Sequence, residues 1–355
     1  MDERRVVKGR GAISNPAGRF ERTPSAEVAD GWDHFEDEAF AVPDPRTTFT
    51  PDQTRDIIAT NSSPDIPFGQ SVNPYKGCEH GCVYCYARPT HAFLDLSPGL
   101  DFETRIFYKT GPAERLREAF DRPGYECRTL AIGTNTDPYQ PGEKEYRVTR
   151  RVLETLLAYR HPVSIVTKGA LILRDLDLLG DLAADGLASV AISITTLDND
   201  LKTKLEPRTA SPLARLRTVR ALAKAGVPVG VMVAPVIPFI NDHEIEEIVA
   251  RSADAGAGSA GYIMLRLPYE VKDLFTEWLA EHYPQKAERV LNRVRDLRGG
   301  KAYDAQWGLR MRGKGIYADL IARRFEVALR KHGLAKPRRT ELRTDLFRAR
   351  QSVLF

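Results

Sequence analysis

The chain has 355 residues, 42% hydrophobic and 28% charged, with 52 basic against 48 acidic residues and a net charge of +4. That composition excludes a disordered or fibrous chain, and no apolar run approaches the roughly 20 residues that cross a bilayer. The charged start MDERRVVKGRGAISNPAGRF has no apolar stretch behind it, so no secretory signal is expected and a cytoplasmic protein without membrane contact is the default.

Residues 1–60 show no sustained period and carry Pro, Gly and charge; they read as an extended or partly disordered arm. Within them, Glu27 to Asp44 holds seven acidic residues and no Lys or Arg. Residues 61–285 read as an α/β body. Short apolar runs rich in β-branched residues predict buried parallel strands at 129–133, 163–167, 189–194, 227–235 and 261–267. Between them, segments with helical spacing are predicted at 147–160, 171–186, 211–226 and 242–256. The 211–226 segment opens on Ser-Pro and closes on Gly226. Strand–helix alternation means a parallel sheet with right-handed crossovers. No GxGxxG follows an early strand, so a complete or partial (β/α) barrel is favoured, with its chemistry at the C-terminal ends of the strands. Residues 286–355 are expected to form a helical cap and a basic tail. From Arg330 to Arg350 the tail has eight basic residues against Glu341 and Asp345, a pattern that suits phosphates or a solvated helix face.

Three of the four cysteines lie within eight residues, in NPYKGCEHGCVYCYARPTHAF. Cys78, Cys82 and Cys85 have the spacing Cys-x3-Cys-x2-Cys, with Tyr84 before the third. Thiolates at short spacing hold iron–sulfur clusters, and three of them leave one iron of a four-iron cubane open. The other reading is a zinc knuckle closed by His80 or His91. Cys127 stands alone and reads as a structural thiol.

This segment resembles the signature of the radical S-adenosylmethionine (SAM) superfamily. More narrowly, GCEHGCVYCYARP, GTNTDPYQPGE, VTKGALILRDLDLL, ISITT and LEPRTASPLARLRTVRALAKAGV resemble the DNA-repair-photolyase-like group related to spore photoproduct lyase. The string GRGAISNPAGRFE looks typical of a bacterial subgroup. The resemblance implies a partial (β/α)6 barrel and a [4Fe–4S] cluster on Cys78, Cys82 and Cys85. It implies reductive cleavage of SAM, fed by an external one-electron donor of the flavodoxin or ferredoxin type. It places Tyr84 and Tyr86 beside the adenosine and Thr136 and Asp137 at the methionine ammonium, with Gly133 allowing close backbone approach. Lys168 and Ser193, with Thr195 at the same strand end and Arg208 as a further candidate, would take the methionine carboxylate. Spore photoproduct lyase carries a hydrogen-donating cysteine just before its Ser/Thr-Asp-Pro element; Thr134 or Asn135 stands there instead. With one thiol to spare, an auxiliary cluster is excluded. Nucleic acid is the first substrate reading, a peptide or protein the second. A non-enzymatic metal-binding nucleic-acid module is the rival from another class.

Overall fold

The computed structural model describes residues 6–20, 46–301, 303–335 and 342–349. The acidic stretch from Glu27 to Asp44 and the tail arginines Arg338 and Arg339 lie outside them.

Four short strands precede and flank the cysteine loop: β1 (Thr48–Asp52), β2 (Ile58–Thr60), β3 (Gln70–Val72) and β4 (Tyr75–Lys76). After it come α1 (Asp101–Thr104), β5 (Arg105–Lys109) and α2 (Pro112–Phe120). The repeating part then runs β6 (Leu130–Ile132), α3 (Glu143–Tyr146), α4 (Val148–Ala158), β7 (Val163–Thr167), α5 (Leu176–Ala184) and β8 (Ala188–Ser193). It continues through α6 (Asn199–Leu205), α7 (Pro212–Lys224), β9 (Val229–Val236), α8 (Ile245–Asp254) and β10 (Ser259–Met264). Helices α9 (Val271–His282), α10 (Pro284–Asp296) and α11 (Ile316–Lys331) follow.

The main sheet has the order β10-β9-β8-β7-β6-β3-β2. Six neighbouring strands, β3 and β6 to β10, pair in parallel, and β2 closes one edge antiparallel to β3. This is the expected open six-stranded half barrel. All five strands read from the sequence are present. The sixth, β3, is three residues long, too short for any periodicity to reveal. A second sheet, β1-β5-β4, sits beside the cysteine loop.

The crossover helices bury their apolar stripes against the sheet, as Val148, Val152, Leu153 and Leu156 of α4 do. In α7, Pro212 fills the first turn and the Ser211 hydroxyl accepts from Ala214 N. Two predicted helices start later than their periodicity suggests, each behind a 3₁₀ turn. The carboxylate of Glu244 is taken by the Thr196 hydroxyl and Leu197 N, and Asp175 is drawn into ion pairs with Arg150 and Arg174. The C-terminal segment divides. Helices α9 and α10 cover the C-terminal end of the barrel, where Trp278, Val290 and Val294 pack in one cluster with Cys82 and Val83. Helix α11 packs instead into the outer helical layer, with Phe325 against Tyr262 of β10.

Residues 342–349 lie at the other end. Arg343 N donates to Gly186 O and Arg348 N to Tyr159 O, both just before strands begin. Phe347 packs on Phe120, Tyr125 and His161 there. Among the described residues no helix is long and apolar enough to cross a membrane.

Candidate metal centre and cofactor site

Strands β3 and β4 carry the chain to the C-terminal end of the barrel, where residues 77–85 turn back on themselves. Gly77 and Gly81 make the reversal possible. Both have φ in the left-handed region, +79° and +67°, and a Cβ on Gly81 would lie 2.6 Å from Glu103 Oε2.

The backbone of this loop is held from several sides. Arg88, fully buried, donates from Nε to Cys82 O (2.9 Å) and from Nη2 to Gly81 O (3.2 Å), and its guanidinium pairs with Glu103. Gln140, also fully buried, brackets Cys78: its Nε2 donates to Gly77 O and its Oε1 accepts from Glu79 N. Val83 N donates to Leu205 O. The Glu79 carboxylate accepts from Gly142 N (2.7 Å) and pairs with Arg208 (3.0 Å). The backbone is therefore committed, while the thiols form no disulfide.

Cys78 and Cys82 are buried and Cys85 is half-buried, packed with both. Burial pushes the Cys78 thiol well up, and Asp137 and the neighbouring thiols add to it. Cys82 is pushed up to about 12, by burial first, with Lys168 opposing. Three thiolates here need added positive charge, and iron supplies it on binding. Among the described residues no three His, Cys, Asp or Glu side chains converge as they would round one metal ion. A cubane asks for something different, one thiolate on each of three corners. Of the histidines considered for zinc, His80 Nδ1 lies 3.3 Å from Asp137 Oδ2 and His91 Nε2 contacts Arg105 O. The donor set fits a [4Fe–4S] cluster.

The predicted SAM residues divide into two groups. Lys168 and Tyr84 lie near Cys82, Thr195 contacts the Tyr84 hydroxyl, Asp137 lies near Cys78, and Ser193 ends β8. Lys168 follows β7, and its ammonium lies 5.9 Å from the Tyr84 ring centre. Burial would lower its pKa, but Cys82 and Glu206 outweigh burial and raise it. Asp137 accepts from Tyr139 N and Thr167 Oγ1 on one oxygen and from Lys168 N on the other. Burial would raise its pKa; His80 and these donors hold it well below the usual carboxylate range. Ser193 is buried, and its carbonyl accepts from Arg215 Nη1. Thr195 Oγ1 lies 2.6 Å from Glu206 Oε1. Tyr86 is 44% exposed, donates to Thr134 O and carries the Arg266 guanidinium 4.1 Å over its ring.

The others are spent on the scaffold. Thr136 Oγ1 donates to Tyr75 O. Gly133 lets β6 pass β7, since a Cβ there would sit 2.0 Å from Val166 O. Arg208 is turned to Glu79 and Thr47.

Sequence reasoning missed the pair beneath the site. Glu206, fully buried, pairs with Arg215 and accepts from Tyr84 and Thr195. Burial would raise its pKa, but Arg215 and Lys168 bring it down to about 2. Arg88, Gln140 and Glu103 were missed as well. The available signal was position: Arg88 stands three residues after Cys85, and Gln140 three after Asp137. Cys127 lies before β6, at the far end of the barrel, and is half-buried.

A three-thiol loop on top of an open parallel (β/α)6 barrel, with a cation and hydroxyls at the next strand ends, defines a class of iron–sulfur enzyme scaffolds. The radical SAM superfamily model matches residues 72–251, and the chain belongs to that superfamily, whose members use a [4Fe–4S] cluster and SAM. An uncharacterized protein of Mycobacterium tuberculosis is 40% identical over 234 residues, 65% of this chain and 68% of that one. One from Methanocaldococcus jannaschii is 25% identical over 223 residues, 63% of this chain and 80% of its own. Spore photoproduct lyase, in a structure complexed with dinucleoside spore photoproduct, superposes with a TM-score of 0.55 at 18% identity. That match covers 80% of this chain and 78% of the other, and it is a likeness of fold.

Proposed function

We propose that this protein is an enzyme that reductively cleaves SAM and uses the radical formed to take hydrogen from a substrate. The observation that carries the reading is the free three-thiol loop, locked by Arg88 and Gln140 at the C-terminal end of the barrel. Held by Cys78, Cys82 and Cys85, a [4Fe–4S] cluster would supply the one electron needed to cleave SAM into methionine and a 5′-deoxyadenosyl radical. The chain's own residues do the rest. Cys78, Cys82 and Cys85 hold three irons. Lys168, with its raised pKa, meets the methionine carboxylate as a fixed cation. Ser193 and Thr195 border the same space. Asp137 orients the Lys168 backbone and contributes negative charge near the ammonium. Tyr84, tied to Glu206, gives the adenosine a buried ring to pack on. A flavodoxin- or ferredoxin-type donor supplies the electron.

For the substrate we favour nucleic acid. Exposed rings near the open end of the barrel are paired with arginines: Tyr86 with Arg266, and Tyr269 with Arg19 at 3.9 Å. Rings and guanidinium planes of this kind stack on unpaired bases. The spore photoproduct lyase complex with a dinucleoside photoproduct supports the same direction. The basic tail does not add to it through its described part. Arg343 pairs with Asp345 at the opposite end of the barrel.

The test is anaerobic. The protein is reconstituted with iron and sulfide, reduced and given SAM, and 5′-deoxyadenosine is quantified beside Cys82→Ala. Product from the wild type alone is the expected result. No product from either, with one zinc bound per chain, would replace this reading with a metal-binding module.

A further inference from the structure

The N-terminal strand of chain before the barrel reaches the cysteine loop through a single carboxylate. Glu103 is fully buried. Arg88 pairs with its Oε1, and Ala12 N donates to the same oxygen at 2.9 Å. Gly11 N donates to Oε2 at 3.0 Å. Arg10 Nη1 binds the Glu103 carbonyl at 3.0 Å. Arg88 in turn holds the carbonyls of Gly81 and Cys82. The approach is close: a Cβ on Gly11 would lie 1.8 Å from Gly81 O and 3.3 Å from Val83 N. Two residues on, Ile13 packs in the cluster that contains Cys82, Val83 and Tyr84.

We propose that residues 10–13 form a strap that positions the cluster-binding loop from outside the barrel. A buried carboxylate needs its donors, because an unmet one carries the full cost of desolvation. The strap supplies two backbone donors that nothing in the barrel replaces. With them in place Glu103 fixes the Arg88 guanidinium, and Arg88 fixes the peptide units on both sides of Cys82. These are positioning residues, and Gly11 is required because no side chain fits between strap and loop. The GRGAIS string, which the SAM chemistry leaves without a role, gains one here.

The inference rests on the cluster being held by Cys78, Cys82 and Cys85, so Cys82→Ala is included to separate the two. The variants are Gly11→Ala, which pushes the strap off Gly81, and Glu103→Gln, which keeps the side chain's shape while removing its charge. Ser14→Ala, just past the strap and with its hydroxyl donating to Glu277, is the control. Each full-length protein is reconstituted anaerobically. Far-UV circular dichroism, the cluster's electron paramagnetic resonance signal after reduction, and the rate of iron loss to a chelator are then recorded. Gly11→Ala and Glu103→Gln are expected to keep native dichroism, shift the resonance signal and lose iron roughly 10- to 100-fold faster. Ser14→Ala should match the wild type. Should Gly11→Ala not fold, Glu103→Gln decides alone. Wild-type iron loss and signal in Glu103→Gln overturn the strap's role. Iron retained by Cys82→Ala would instead overturn the ligand assignment beneath it.

Discussion

Lys168 shows how a single residue is set for its task by its surroundings. It stands one residue past the end of β7, where burial disfavours a charge, yet Cys82 once it is a thiolate and the ionised Glu206 raise its pKa. Replacing it by Met should therefore weaken SAM binding by roughly 10- to 100-fold, the range for losing a hydrogen bond to a charged group. Equilibrium binding to the reconstituted protein checks this, and an unchanged Kd would remove Lys168 from the carboxylate site. The thiols carry a second expectation. In the metal-free protein Cys82 stays protonated up to about 12 and Cys78 is also raised. Each thiolate formed on iron then releases a proton, so iron affinity should rise steadily from about pH 7 to about pH 9. Competition with a chelator of known pH dependence measures it, and a flat profile would count against thiolate ligation.

Between elements, the pair Glu206–Arg215 joins the end of α6 to α7 beneath the site. Arg215 also reaches Ser193 O at the end of β8 and the Thr209 hydroxyl, so one guanidinium ties three segments together. Removing it strands a buried carboxylate. Arg215→Met should cost about 3–5 kcal/mol in urea unfolding of the metal-free protein, and adding Glu206→Gln should return part of that. Equal midpoints for wild type and Arg215→Met would show that water or another cation already reaches Glu206. The same logic explains the late starts of α5 and α8. Side chains that periodicity counts as helical are taken up first by partners on other elements, Asp175 by Arg150 and Glu244 by Thr196.

Across the whole molecule, the two ends of the barrel are specialised differently. The C-terminal end carries the thiols, covered by the strap and by α9 and α10. The N-terminal end is sealed by residues 342–349, where Phe347 meets His161, itself stacked on Phe120 at 4.6 Å. Burial lowers the pKa of His161 to about 4, and that of His91 likewise to about 4, from 6.5. In the unfolded chain both bind a proton near 6.5, so the unfolded state holds more protons between the two values. Stability is thus complete above about pH 6.5 and declines as pH falls toward 4, by up to about 1.4 kcal/mol per pH unit for each histidine. Urea midpoints at a series of pH values test this. His161→Phe should flatten the decline, and an unaltered slope would assign it to other groups.

The sequence alone determined the repeat, because parallel strands buried on both faces must be apolar and their helices must be amphipathic. It also pointed to the candidate metal centre, because three thiols within eight residues are confined to one loop. It placed Lys168, Ser193 and Thr195 at strand ends through the barrel's own rule. Only the tertiary structure decided what held them. Strand β3 exists because β6 pairs with it, not because Gln70–Val72 prefers to be extended. Arg208 looked like a ligand residue until Glu79 claimed it, and Thr136 until the Tyr75 carbonyl did. The contacts of Arg88 with Glu103, of Gln140 with Gly77 and Glu79, and of Gly11 with Gly81 span 15 to 70 residues. Those beyond a turn or two have no period to betray them, because a buried charge is satisfied by whichever partner the fold brings near.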